Sequence, residues 1–116
     1  MDAEFLRKIC LPLPGTTEQV QWGSDLVFKV GGKMYAVVPL EPAAVCLSFK
    51  CSAEDFADLT ERPGIIPAPY LARAQWVALE DDDALTTAEV KTYVRRAYEQ
   101  VRGKLPKKVQ AALAGR

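Results

Sequence analysis

Two glycines set inside a hydrophobic alternation constrain this chain more than any other feature. Asp25-Leu26-Val27-Phe28-Lys29-Val30 and Lys33-Met34-Tyr35-Ala36-Val37-Val38 flank Gly31-Gly32. Each run is rich in β-branched and aromatic residues and reads as a strand. A two-residue connection between paired strands needs positive φ at its central positions, which glycine adopts without steric cost. The stretch therefore predicts an antiparallel hairpin. The turn sets Phe28 opposite Tyr35 and Leu26 opposite Val37, an arrangement that would give one bulky apolar face. Lys29 is then expected on the face opposite Phe28, and Lys33 at the tip.

The remaining elements follow from period and punctuation. Asp2 is an N-cap for a helix to about Cys10, with Phe5, Leu6 and Ile9 as its apolar stripe. Leu11-Pro12-Leu13-Pro14-Gly15 ends that helix. A short strand is expected around residues 18–22 and another over residues 45–50, with Val45, Leu47 and Phe49 on one side and Cys46, Ser48 and Lys50 on the other. Ser52 opens a helix to about Glu61, buried through Phe56 and Leu59. Residues 65–71, interrupted by Pro67 and Pro69, read as an extended loop. Residues 75–79 read as a strand, and Glu80-Asp81-Asp82-Asp83 as a solvated turn. Thr86-Thr87-Ala88-Glu89 is a capping box opening the longest helix, to about Gly103, whose apolar positions are Val90, Val94, Ala97 and Val101. Pro106 suits the start of a short last helix. The order predicts one α+β domain over residues 1–116, a mainly antiparallel sheet with N-terminal and C-terminal helices packed on it.

Function is bounded first by what is missing. The 116 residues include no histidine. That removes imidazole acid–base chemistry, Ser-His-Asp and Cys-His nucleophile systems and most zinc sites. Cys10, Cys46 and Cys51 form no Cys-x-x-Cys pair, and their odd number argues against a disulfide framework. Glu80–Asp83 lacks the spacing and the glycine of a calcium loop. No catalytic residue, metal or cofactor is expected, so the reading is a binding protein and not an enzyme. No apolar run approaches the ~20 residues that span a bilayer, and Met1-Asp2-Ala3-Glu4 is not the start of a secretory signal. A cytoplasmic location without a membrane partner is the expectation.

The formal net charge is zero, yet the charges separate along the chain. Residues 1–83 carry 7 Lys/Arg and 13 Asp/Glu, a net of −6, and residues 84–116 carry 8 against 2, a net of +6. Such a split marks either an anion-binding face or a basic helix lying over an acidic body. On the long helix, Lys91, Arg95 and Arg102 fall within about 40° of one another, with Tyr98 between this stripe and the apolar face. A cationic row beside an aromatic suits phosphate contact and base stacking. A solvated face is the competing reading, since Glu99 stands four residues after Arg95. Lys107 and Lys108 occupy the first turn of the last helix, where free N–H groups favour an anion. Lys29 and Lys33 would make the hairpin a basic wing. An independent alternative is a groove over the Pro-rich loop, lined by Pro67, Tyr70 and Trp76, for a protein or small ligand.

Several segments also resemble one family in order. Leu13-Pro14-Gly15-Thr16-Thr17-Glu18, Trp22-Gly23 and Phe28-Lys29-Val30-Gly31-Gly32-Lys33-Met34-Tyr35-Ala36 are similar to the opening of MmcQ/YjbR proteins. Leu47-Ser48-Phe49-Lys50, residues 63–71 before Trp76-Val77, Tyr98-Glu99-Gln100-Val101 and Lys104-Leu105-Pro106-Lys107-Lys108 continue the likeness. The resemblance implies a CyaY-like fold with a double-wing arrangement and DNA binding, the first wing being the 26–38 hairpin. Lys33, Lys50, Lys104 and Lys107 match cationic positions of the family pattern. The chain departs from it at Ala97-Tyr98, where Ser-Tyr is common, and so lacks one hydroxyl. DNA is the partner this resemblance implies. Composition and spacing leave sequence preference and oligomeric state open.

Overall fold

The computed structural model describes residues 2–114. Asp2 caps α1 (Ala3–Cys10) by accepting the Phe5 N–H at 2.9 Å, and β1 (Thr16–Gln21) follows. The hairpin is β2 (Asp25–Val30) and β3 (Lys33–Pro39), with Gly31 and Gly32 at φ +59° and +78°. After β4 (Leu47–Lys50), Ser52 caps α2 (Ala53–Thr60). Strands β5 (Ile65–Pro67) and β6 (Trp76–Leu79) precede α3 (Thr87–Gly103) and α4 (Lys107–Ala114). The six strands form one antiparallel sheet in the order β1-β2-β3-β4-β6-β5.

All four helices contribute to the main core on one face of the sheet. Leu6 and Cys10 of α1, Leu59 of α2, Val90, Val94, Ala97 and Val101 of α3, and Leu113 of α4 join Phe28, Tyr35 and Phe49 there. Burying a side chain the size of Phe28 or Phe49 stabilises by roughly 1.5–3 kcal/mol. The opposite face carries a smaller cluster of Val27, Val37, Ala68, Trp76 and Ala78, covered by the segment after β5. No helix among the described residues is long and apolar enough to cross a membrane.

The expected hairpin register holds only at the tip. Lys29 pairs with Met34, but Phe28 pairs with Ala36 and Leu26 with Val38, because a bulge leaves Tyr35 unpaired. A bulge places two consecutive residues on one side. Tyr35 and Ala36 therefore both face the helices, and Val37 turns to the other face. The buried Tyr35 ring then lies edge-on to Tyr98, with centroids 5.5 Å apart, and its hydroxyl bonds Thr16 Oγ1 at 2.9 Å. These contacts account for the extra residue.

Two other expectations are corrected. Regular pairing in β4 starts at Leu47, so Val45 falls out of the alternation and packs against the smaller cluster, while Cys46 packs on the main core. Residues 65–67 form a strand, not a loop, pairing with residues 77–79. Pro67 is tolerated because β5 is an edge strand, where a missing N–H breaks no central ladder.

Candidate anion-binding groove

Three elements meet at the hairpin tip. Leu105, just past the end of α3, packs over Gly31 closely enough that a β-carbon there would stand 2.5 Å from its Cδ1. The absent side chain lets the α3–α4 junction lie against the turn. Strands β3 and β4 pair only at Ala36 with Phe49 and Val37 with Ser48, so the sheet opens toward Lys33 and Lys50. The resulting groove, about 340 Å³, is lined by Lys33, Met34, Lys50, Trp76, Val101, Lys104, Leu105 and Pro106. Its walls carry three lysines and no carboxylate; its floor is apolar.

The lysines are held differently. Lys33 is exposed at the start of β3. Lys104 is the C-cap of α3, where a cation meets the negative end of the helix dipole. Lys50 is half-buried at the end of β4, and its ammonium donates to the Ala74 carbonyl. Burial, and then the neighbouring Lys104 charge, lower its pKa below the ordinary lysine value. A bound anion would relieve both effects, because it offsets like-charge repulsion and stabilises the charged form.

The other candidate residues are dispersed. Lys107 and Lys108 are exposed in the first turn of α4, immediately beyond Pro106 of the groove. Lys29 is not part of its lining and donates to Gln19 Oε1 of β1 at 3.0 Å. The stripe expected on α3 is divided. Arg102 donates to the Gln110 carbonyl at 3.4 Å and ties α3 to α4. Lys91 and Arg95 instead join Lys8 in a second groove of about 360 Å³ between α1 and α3, and Arg95 pairs with Glu99 at 3.4 Å. Lys8 was not legible as a site residue, since only tertiary packing brings it beside α3. Arg116, part of the basic C-terminal segment, lies outside the described residues.

Tyr98 is not a surface aromatic. It is 5% exposed, and its hydroxyl donates to the Pro14 carbonyl. It therefore offers no stacking surface, and helical phase alone missed this because β3 and the 11–15 turn close over that side of α3. The expected groove of Pro67, Tyr70 and Trp76 also separates. Trp76, 3% exposed, lines the lysine groove, and Pro67 is exposed on β5. Tyr70 instead borders a trough of about 530 Å³ with Trp22, Val37, Val45 and Leu71. Trp22 is 63% exposed at its edge, although tryptophan is usually highly buried.

The remaining chemistry is quiet. Burial pushes the Cys10 thiol up to about 12 and those of Cys46 and Cys51 up to about 11, which disfavours the nucleophilic thiolate. A cavity of about 420 Å³ at the start of α3 is lined by Asp2, Asp82 and Asp83 and is unsuited to anions. No group of three or more potential metal-ligating Cys, Asp or Glu side chains occurs among the described residues.

The comparisons with known proteins agree on the fold. A family model described as YjbR matches residues 11–100. The chain is similar to a crystal structure of a Deinococcus radiodurans protein described as a DUF419 domain, with 26% identity and a TM-score of 0.85, covering 97% of this chain and 88% of that one. It is also similar in fold to a Pseudomonas syringae protein, with 18% identity and a TM-score of 0.68, covering 87% and 99% respectively. No curated protein matches significantly.

Proposed function

The chain belongs to the YjbR family, and we propose that it is a non-catalytic domain that binds nucleic acid weakly and electrostatically through the lysine groove, with the β2–β3 hairpin as its wing. The observation that carries this reading is the convergence of Lys33, Lys50 and Lys104 on one groove without a carboxylate in its lining. Lys107 beside Pro106 extends the positive surface. With a formal net charge of zero, the chain apart from these lysines is net negative, which limits long-range attraction and keeps affinity low. A nucleic-acid ligand is consistent with the cytoplasmic location expected from the sequence.

Titration of labelled oligonucleotides over a range of salt tests it. Neutralising three or four phosphates gives a log–log salt slope of about −2.7 to −3.6 on duplex DNA. Replacing Lys33, Lys50 and Lys104 together, by Ala, Met and Ala, should abolish binding. Lys91→Ala with Arg95→Ala should leave it nearly intact. No binding at low salt, or equal loss from both sets, overturns the assignment.

A second reading rests on the 530 Å³ trough. Trp22 and Tyr70 border it at φ +49° and +65°, and both are exposed. Left-handed backbone at a bulky residue costs of order 1–2 kcal/mol, a cost that a ligand-binding role for the two rings would explain. A protein or small apolar ligand would fit there. Loss of a partner on Trp22→Ala with Tyr70→Ala, but not on replacing the lysines, would favour this reading.

A further inference from the structure

We propose that the lysine groove takes an unpaired nucleotide, so that the domain prefers single-stranded over duplex nucleic acid. This rests on reading the groove as a nucleic-acid site and specifies which form it accepts. Three lysines alone would serve any phosphate backbone. The floor distinguishes the alternatives: Met34, Trp76, Val101, Leu105 and Pro106 are apolar, and a phosphate gains nothing from them. An unstacked base does, because its faces are poorly hydrated and its sugar-phosphate can remain at the lysine rim. A duplex keeps its bases stacked and paired inside, and can offer the groove only phosphate and sugar.

Size points the same way. About 340 Å³ is far more than one phosphate needs and lies at the lower end of small-ligand sites. The three lysines come from β3, β4 and the end of α3, so no single element presents them as a row. A row along one element would follow a backbone; cations from three elements beside an apolar floor suit a nucleotide with its base turned inward.

Trp76 supplies the readout. The chain has two tryptophans, and Trp22→Phe leaves Trp76 as the only indole, at the groove. This variant is titrated at fixed salt with a short oligothymidylate, with an abasic oligomer of the same length and charge, and with a duplex. The oligothymidylate should change Trp76 emission and bind about tenfold more tightly than the abasic oligomer, the gain from covering roughly 55 Å² of apolar surface. Met34→Glu, which places a carboxylate in the floor, should remove that preference. Equal affinity for all three ligands, or tighter duplex binding, overturns the inference and leaves the electrostatic reading standing. No binding by any of them overturns both. Emission that does not change while the thymidylate binds more tightly places the base elsewhere and also overturns it.

Discussion

The side chain of Leu105 occupies the space that a β-carbon on Gly31 would need: Cδ1 stands 2.5 Å and Cδ2 2.9 Å from that position. Gly31 is also at φ +59°. Two separable costs thus oppose Gly31→Ala, the left-handed backbone of an L-residue and the collision with Leu105. The backbone part is about 1–2 kcal/mol. Urea unfolding should show at least that loss for Gly31→Ala. In a Leu105→Ala background the same substitution should cost less, because the collision is gone and only strain remains. An undiminished cost would show that Leu105 does not clamp the turn.

Tyr98→Phe separates packing from binding. The phenol donates to the Pro14 carbonyl, and its ring meets Tyr35 at an interplanar angle of 77°. Phenylalanine keeps the ring contact and loses the hydrogen bond, a destabilisation of about 1 kcal/mol by urea unfolding. Oligonucleotide affinity should not change. A binding loss without a stability loss would return Tyr98 to the list of contact residues.

This tyrosine also shows where sequence reasoning stops. Period and capping located all four helices, and the Gly-Gly turn located the hairpin, because those signals are local. The Phe28–Ala36 pairing depends on the Tyr35 bulge, a response to Thr16 and Tyr98 that no local pattern encodes. The site was legible only in pieces. Lys33, Lys50 and Lys104 each match a cationic position of the family pattern, but they lie on β3, β4 and the end of α3, and their convergence depends on how the sheet opens beside Leu105. The helical stripe of Lys91, Arg95 and Arg102 was sound as geometry. The packing of α1 and α4 then drew its members to different neighbours.

The Lys50 titration should depend on the Lys104 charge. The Lys50 pKa is lowered first by burial and then by the Lys104 charge. Lys104→Ala should therefore move the Lys50 titration upward, and saturation with an oligonucleotide should do the same in the intact protein. Carbon-13 dimethylation followed by NMR across the alkaline range reads both shifts. The stability linkage has a definite sign. With the folded value below the unfolded one, the unfolded chain holds more protons between the two, so this group's contribution makes the protein more stable as pH rises through that window. Lys104→Ala should reduce that slope; an unmoved Lys50 titration would show that the two ammonium groups do not interact.

Glu89 should contribute to the loss of stability in acid. Its carboxylate accepts from Arg62 at 2.8 and 3.2 Å and from the Thr86 N–H at 3.0 Å, closing the capping box of α3. The Arg62 hydrogen bond first, and then the Thr86 N–H, hold the Glu89 carboxyl down at about 2, against a usual value of 4.5. Here the folded value lies below the unfolded one for a carboxylate. The stabilisation is thus fully present above about pH 4.5 and is lost as pH falls through 2. Other carboxylates also protonate in that range, so the informative quantity is the difference between wild type and Glu89→Gln. The variant should be less stable at pH 7, and the gap should close steadily between pH 5 and pH 2. Arg62→Met should raise the Glu89 pKa while leaving the Thr86 cap in place. Thr86→Ala should cost about 1 kcal/mol through loss of the Oγ1 acceptor, and much of that cost should persist at low pH, because the bond from the Glu89 N–H to the hydroxyl involves no titrating group. A gap between wild type and Glu89→Gln that stays constant down to pH 2 would refute the assignment of this window to Glu89.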